Sequence, residues 1–168
     1  MLEIAALILF PALMAFAAFS DLFTMTIANW ISAALIVSFA VLAFAAGMPA
    51  AEIVVHFACG AAVLAITFAL FACGWIGGGD AKLAATTALW MGFPHIAEYG
   101  LLTSAIGLAL TIAVVQLRRL PLPRVLHAQA WLSRLHQRDN GVPYGIALAI
   151  AGVMLYPDTQ IWSTLTAH

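Results

Sequence analysis

Long apolar runs, separated by short polar or glycine-containing connections, dominate the pattern along this chain. The first run, from Ile4 to Phe19, ends at Ser20 and Asp21. About 20 apolar residues in a helix can cross the hydrocarbon core of a bilayer, and the runs reach or approach this length. We therefore predict a compact bundle of about six transmembrane helices. The predicted spans cover approximately residues 4–19, 29–46, 53–73, 81–96, 100–117 and 141–156, with a polar tail after the last one.

The composition supports a membrane protein. The chain is 65% hydrophobic and only 8% charged, with a mean hydropathy of +1.07, whereas about 25% of the residues of a soluble domain are charged. We predict an all-α integral membrane protein, with residues 1–168 forming a single transmembrane domain. Cys59 and Cys73 lack the spacing of zinc or redox sites, so we expect no metal and no cofactor.

All the arginines of the chain lie in one predicted loop, at about residues 118–140. Because basic residues favour the cytoplasmic side of a membrane, we predict that this loop is cytoplasmic. Both termini then lie outside, and Asp21, Asp80 and Lys82 share the cytoplasmic face. The arginines are Arg118, Arg119, Arg124, Arg134 and Arg138.

Apolar residues recur among these arginines. Leu126, Trp131, Leu132 and Leu135 have a spacing typical of a short amphipathic helix that lies on an anionic leaflet. The alternative is an irregular, solvated loop that only sets the topology. In both cases we expect membrane lipids, and no nucleic acid, as partners of the loop.

The most unusual stretch runs from Cys73 to Leu83, where three consecutive glycines precede Asp80. Asp80 could simply cap a helix N-terminus, and Asp21 could be an interfacial acid in a helix-ending turn. Acids are scarce in this chain, however, and the predicted topology brings both to the same side. An ionisable residue that faces the bundle at the membrane edge is a candidate functional residue.

Two neighbouring carboxyl groups could catalyse peptide hydrolysis. They can share one proton, so that one acts as general base towards water while the other polarises the scissile carbonyl. Gly77, Gly78 and Gly79 would let a substrate backbone approach and would permit the turn that directs Asp80 inward.

Three separated motifs resemble those of bacterial type IV prepilin peptidases. The stretch Gly77–Leu83 is similar to the G-x-G-D-x-K-L signature of that family. Asp21, followed by Ile27–Asn29, resembles its first motif, an aspartate before I-P-N, with Ala28 in place of the proline. Residues 142–147, Val-Pro-Tyr-Gly-Ile-Ala, resemble the P-Y/F-G-x-A segment that opens the last helix.

The chain has neither the paired CxxC motifs nor the cytoplasmic insertion of the larger family members, and it resembles the short TadV/CpaA-like form of Flp (tight-adherence) pilus systems. This resemblance implies that Asp21 and Asp80 are the catalytic pair of an aspartyl endopeptidase. The substrate would be the helix of a prepilin or pseudopilin, cut at the cytoplasmic face of the bacterial inner membrane. Methylation of the new N-terminus is not expected.

Two further residues are candidate substrate-binding or supporting residues, together with the glycine triplet. Lys82 either keeps one carboxylate ionised or marks the membrane interface, and Asn29 either caps the second helix or contacts substrate. The alternative functions of this chain are a presenilin-like GxGD protease, a small transporter or channel, and a non-catalytic subunit of a pilus or secretion assembly. Replacing either aspartate by asparagine discriminates, because a structural role predicts lower abundance whereas a catalytic role predicts lost cleavage.

Overall fold

The computed structural model describes residues 2–121, 129–137 and 140–166, and every regular element within these ranges is helical. The all-α prediction is confirmed for this part of the chain. Two helices, Ala50–Ala72 and Gly78–Arg119, are long and apolar enough to cross a membrane, whereas the apolar stretches Ile8–Thr24, Asn29–Ala45 and Gly145–Asp158 are shorter. The number of spans therefore stays a prediction. The helices are α1 (Leu2–Thr24), α2 (Asn29–Ala45), α3 (Ala50–Ala72), α4 (Gly78–Arg119), α5 (Ala130–His136), α6 (Gly145–Leu155) and α7 (Gln160–Thr166), with a 3-10 turn at Tyr156–Asp158.

Helix α4 covers both the fourth and the fifth predicted spans. The predicted connection at 97–99 is wrong, because the break lies at Gly92, whose φ of 68° and ψ of 173° are not helical. Glycine adopts positive φ without steric cost, and Pro94 lacks a backbone donor. We call residues 78–91 the first arm and residues 93–119 the second arm. Both arms line one cavity near Asp80, so the second arm runs back beside the first.

A buried histidine completes the hydrogen bonding at this break. His56 Nδ1 lies 2.8 Å from the carbonyl oxygen of Leu89, in the last turn of the first arm. Because a carbonyl only accepts, Nδ1 carries the proton. A Cβ atom at position 92 would lie 2.9 Å from the His56 ring. Position 92 therefore requires glycine for space as well as for its backbone conformation.

The first arm is the buried part of α4, and α4 as a whole packs mainly against α3 and α6. All residues from 83 to 92 are buried, as expected for a helix that is apolar on every side. Trp90 is fully buried, and its indole N–H donates to the Leu35 carbonyl at 3.1 Å. Its ring packs on those of Phe10 and Phe39, with centroid distances of 4.8 Å and 5.5 Å.

Much of the outer surface is apolar. Phe44, Trp75 and Leu101 have 83%, 76% and 74% of their area exposed, within a large set of exposed aliphatic and aromatic side chains. Soluble monomers rarely expose large contiguous apolar surfaces. This surface indicates that the helices face lipid.

Three predicted boundaries differ from the structure. Helix α1 extends beyond Phe19 and carries Asp21 in its last turns, while α6 begins at Gly145, after Pro143. The predicted polar tail forms helix α7 instead. Ile161 and Leu165 are completely buried there, because α7 packs against α1 and α2.

The arginine-rich loop contains the predicted short helix, α5. Leu135 is buried, and the Trp131 ring meets the Phe23 ring edge-on at 5.7 Å. Helix α5 therefore packs on the end of α1, and its contact with a lipid leaflet stays a prediction. Arg124, Leu126 and Arg138 lie outside the described residues.

Candidate active site

Asp21 is held at the start of α6. Only 6% of Asp21 is exposed, and the backbone N–H of Gly145 donates to its Oδ2 at 2.7 Å. Since Gly145 is the first residue of α6, the carboxylate also faces the positive end of that helix dipole. A Cβ atom at position 145 would lie 2.8 Å from the same oxygen. Glycine is therefore needed at this position to bring the backbone so close to the acid.

Asp80 lies in the first turn of α4. The N-cap of this helix is Gly77, so the suggestion that Asp80 itself caps the helix is wrong. The Gly77 backbone N–H is within hydrogen-bonding reach of the Asp80 carboxylate, as in a capping box where the third helical residue reaches back. Asp80 is half-buried and lines a cavity.

Asp21 and Asp80 lie near enough for their carboxyl groups to interact electrostatically. Ile27, in the connection between α1 and α2, lies beside both acid-bearing segments. A Cβ atom at Gly79 would lie 3.1 Å from Ile27 Cβ, and one at Gly145 would lie 2.8 Å from Ile27 Cδ1. The connection that follows Asp21 therefore packs between the start of α4, which carries Asp80, and the start of α6, which contacts Asp21.

The glycines before Asp80 differ from the expectation. The left-handed turn after α3 is at Gly74, with φ of +74°, whereas Gly77 has φ of −71°. The turn therefore does not depend on the conformational freedom of the triplet. A Cβ atom at Gly78 would lie 3.2 Å from the Phe71 ring, and the space beside Gly79 is filled by Ile27. Phe71 and Ile27 of the same chain therefore occupy the space that side chains at these two positions would need.

Lys82 and Asn29 contact each other. Lys82 Nζ donates to Asn29 Oδ1 at 2.8 Å, and both side chains are exposed. The prediction that Asn29 caps α2 is wrong, because the N-cap is Ala28 and no side-chain cap hydrogen bond forms there. Asn29 is the first helical residue, and its side chain is directed to the lysine instead.

A cavity of about 340 Å³ adjoins Asp80, between α3, the two arms of α4 and α6. Its walls are mainly apolar, but hydroxyl groups of Tyr99, Thr103 and Tyr144 belong to them. The Tyr99 hydroxyl donates to the Leu148 carbonyl at 3.4 Å, and the Tyr144 hydroxyl lies 3.5 Å from the Thr103 carbonyl. Thr103 Oγ1 is buried near the Tyr99 hydroxyl but completes no hydrogen bond.

Two arginines connect the segments that carry Asp21 and Gly145. Arg134 donates to the carbonyl oxygen of Phe23, at the end of α1. Arg118 donates to the carbonyls of Leu135 and Gly141, at 2.8 Å and 2.9 Å. We call this set of contacts the arginine bracket. It attaches the end of α1 to the loop that leads into α6.

Several of these features are not evident from the sequence. The segment 142–147 was identified as a motif, but nothing in it showed that the Gly145 amide contacts Asp21. Ile27 was evident only as part of the motif after Asp21, Thr103 lies in an ordinary apolar run, and the arginines indicated only the topology and a short amphipathic helix. Among the described residues, no group of three or more His, Cys, Asp or Glu side chains could hold a metal ion.

The comparisons with known proteins give one match. A family model described as the type IV leader peptidase family matches residues 8–112, which is more than half of the chain. The matched region includes Asp21 and Asp80 and ends before Gly145. No curated protein and no solved structure matches the chain.

Proposed function

Because the chain belongs to the type IV leader peptidase family, we propose that it is a membrane aspartyl endopeptidase with Asp21 and Asp80 as its catalytic pair. Family membership indicates a peptidase, and the apolar helices indicate a membrane protein. The observation that carries the proposal is that these two acids, which come from different helices, interact electrostatically, and that Asp80 lines a cavity.

The proposed reaction is hydrolysis of one peptide bond. Asp21, which receives a hydrogen bond from the Gly145 N–H, takes a proton from water, and the resulting hydroxide oxygen attacks the scissile carbonyl carbon. Asp80 carries the shared proton and donates it to the carbonyl oxygen. Asp21 then gives the proton it took from water to the nitrogen as the C–N bond breaks, and a hydroxyl of the intermediate returns its proton to Asp80, which yields one acid and one amine. The pair returns to its singly protonated state.

The proposed substrate is a type IV prepilin or pseudopilin, in particular of the Flp type. Such a precursor has a basic leader before an apolar helix, so its cleavage site lies at the membrane edge. Residues at the bundle end that carries Asp21 and Asp80 would meet that site if this end faces the cytoplasm of a bacterial inner membrane. The net acidity of the pair would attract the basic leader.

The proposal is tested by co-expression of a Flp-type prepilin with wild type, Asp21→Asn or Asp80→Asn. Asparagine keeps the shape of the side chain but cannot exchange the proton, so both variants are expected to accumulate normally and leave the prepilin uncut. Glu98→Gln is a matched control, because Glu98 is an exposed acid that pairs with His95 at 3.8 Å. It should process the prepilin like wild type.

Processing that survives at either asparagine would remove that aspartate from the mechanism. Reduced abundance of the asparagine variants, with cleavage per molecule unchanged, would instead support the non-catalytic subunit.

A further inference from the structure

The cavity beside Asp80 is open on the side of the bundle that faces lipid. Ile66 of α3, together with Gly100 and Ser104 of the second arm, lines it and is exposed. A Cβ atom at Gly100 would meet no atom within 4 Å. A segment within the membrane could therefore enter between α3 and the second arm without displacing a side chain at position 100.

The inner part of the cavity contains an unsatisfied hydroxyl. Thr103 is 6% exposed, and its Oγ1 has no hydrogen-bond partner. A buried hydroxyl without a partner costs free energy, because it has lost its hydrogen bonds to water. A ligand with a carbonyl or amide group would relieve this cost.

We propose that this cavity is a substrate subsite that binds the first residue after the scissile bond, with its apolar side chain between α3 and the second arm and its peptide group against Thr103. This inference rests on the peptidase function proposed above. The volume of about 340 Å³ is near the lower end of the ~300–1,000 Å³ found for small-ligand sites. It suits one large side chain with its backbone, and not a whole helix.

The chemistry of the walls favours a peptide over a lipid chain. An acyl chain would fill the apolar part, but it offers no group to the Thr103 hydroxyl or to Asp80. The apolar walls also favour binding of the residue after the scissile bond over binding of the leader before it. A basic leader is poorly suited to apolar surroundings, whereas the residue that begins the apolar helix of the substrate is well suited to them.

The test uses the purified full chain in lipid nanodiscs and a Flp-type prepilin with Ala, Leu or Phe directly after the cut. Gly100→Leu partly fills the cavity from its open side. It should reduce kcat/KM for the Phe substrate relative to the Ala substrate by about tenfold or more, as expected when a hydrophobic pocket loses room for several methylene groups. Ala105→Leu is the matched control, because Ala105 is exposed on the same arm and does not line the cavity.

A Phe-to-Ala ratio that stays the same in Gly100→Leu would overturn the subsite and leave the peptidase function intact. Failure of the wild type to cut any of the three substrates would overturn the function and the subsite together.

A second variant tests the hydroxyl. Thr103→Val should raise KM for all three substrates while leaving abundance unchanged. Thr103→Ser should have the KM of the wild type, because serine keeps the hydroxyl group. A KM that is unchanged in Thr103→Val would exclude the proposed contact with the peptide group.

Discussion

The two ends of the bundle differ in whether a buried polar side chain has a hydrogen-bond partner. At the Gly92 end, buried His56 donates to the carbonyl of Leu89 at 2.8 Å, and its ring occupies the space that a side chain at position 92 would need. At the aspartate end, Asp80 lines a cavity, and the hydroxyl of Thr103 in the wall of the same cavity has no partner.

The difference separates a structural site from a candidate functional one. A polar group that serves the fold is satisfied by a hydrogen bond within the chain. A group that serves binding or catalysis remains partly unsatisfied until its ligand arrives. Substitutions at the Gly92 end should therefore change stability, whereas those at the aspartate end should change activity.

The largest contrast is expected between Gly145→Ala and Gly92→Ala. The new Cβ at position 145 would lie 2.8 Å from Asp21 Oδ2, so the carboxylate must move. Because a displacement of about 1 Å can cost about 100-fold in rate, we expect a loss of that order in prepilin cleavage, with abundance near wild type. Alanine at position 92 must adopt φ of +68°, which destabilises the fold by at least about 1–2 kcal/mol.

To measure this contrast, the rate of prepilin cleavage and the free energy of unfolding, from denaturant titration in detergent, are determined for both variants. The comparison fails if Gly145→Ala loses stability rather than activity, or if Gly92→Ala loses activity at unchanged stability.

The same contrast shows what the sequence could predict. The helices, the apolar surface and the two acids could be predicted from the composition of long segments and from motifs. Such predictions do not require knowledge of which residues are in contact. The break at Gly92 was missed because an isolated glycine within an apolar run is ambiguous, and its role depends on His56 in another helix. The Gly145–Asp21 contact was likewise hidden, because a backbone amide has no sequence signature.

A second contrast concerns hydrogen bonds. His56→Leu leaves the Leu89 carbonyl without its partner, so the free energy of unfolding should fall by about 1–3 kcal/mol. Thr103→Val removes a hydroxyl that has no partner, so its stability should stay within about 0.5 kcal/mol of wild type or rise slightly. Thermal and denaturant unfolding of the two variants decide the matter. Equal destabilisation would show that Thr103 is satisfied in the fold.

A smaller effect is expected from the arginine bracket. Arg134→Ala removes the donor to the Phe23 carbonyl, two residues after Asp21, and should slow cleavage by about three- to tenfold through looser positioning of the acid. Arg134→Lys keeps the charge that sets topology but loses the planar guanidinium geometry. If Arg134 served topology alone, lysine would restore full activity, and protease accessibility of the loop would report any inversion of the alanine variant.

The smallest effect is expected at Lys82, two residues after Asp80. Its ammonium group donates to Asn29 at 2.8 Å on an exposed surface, and an exposed polar contact of this kind contributes at most about 1 kcal/mol. Lys82→Met should therefore cleave prepilin within about twofold of wild type, with an unchanged pH profile. If Lys82 kept a carboxylate ionised, its loss would disfavour the charged form, and the acidic limb of the profile would move to higher pH. An unchanged profile would mean that an uncharged glycine amide, at Gly145, matters more to Asp21 than the Lys82 ammonium group does.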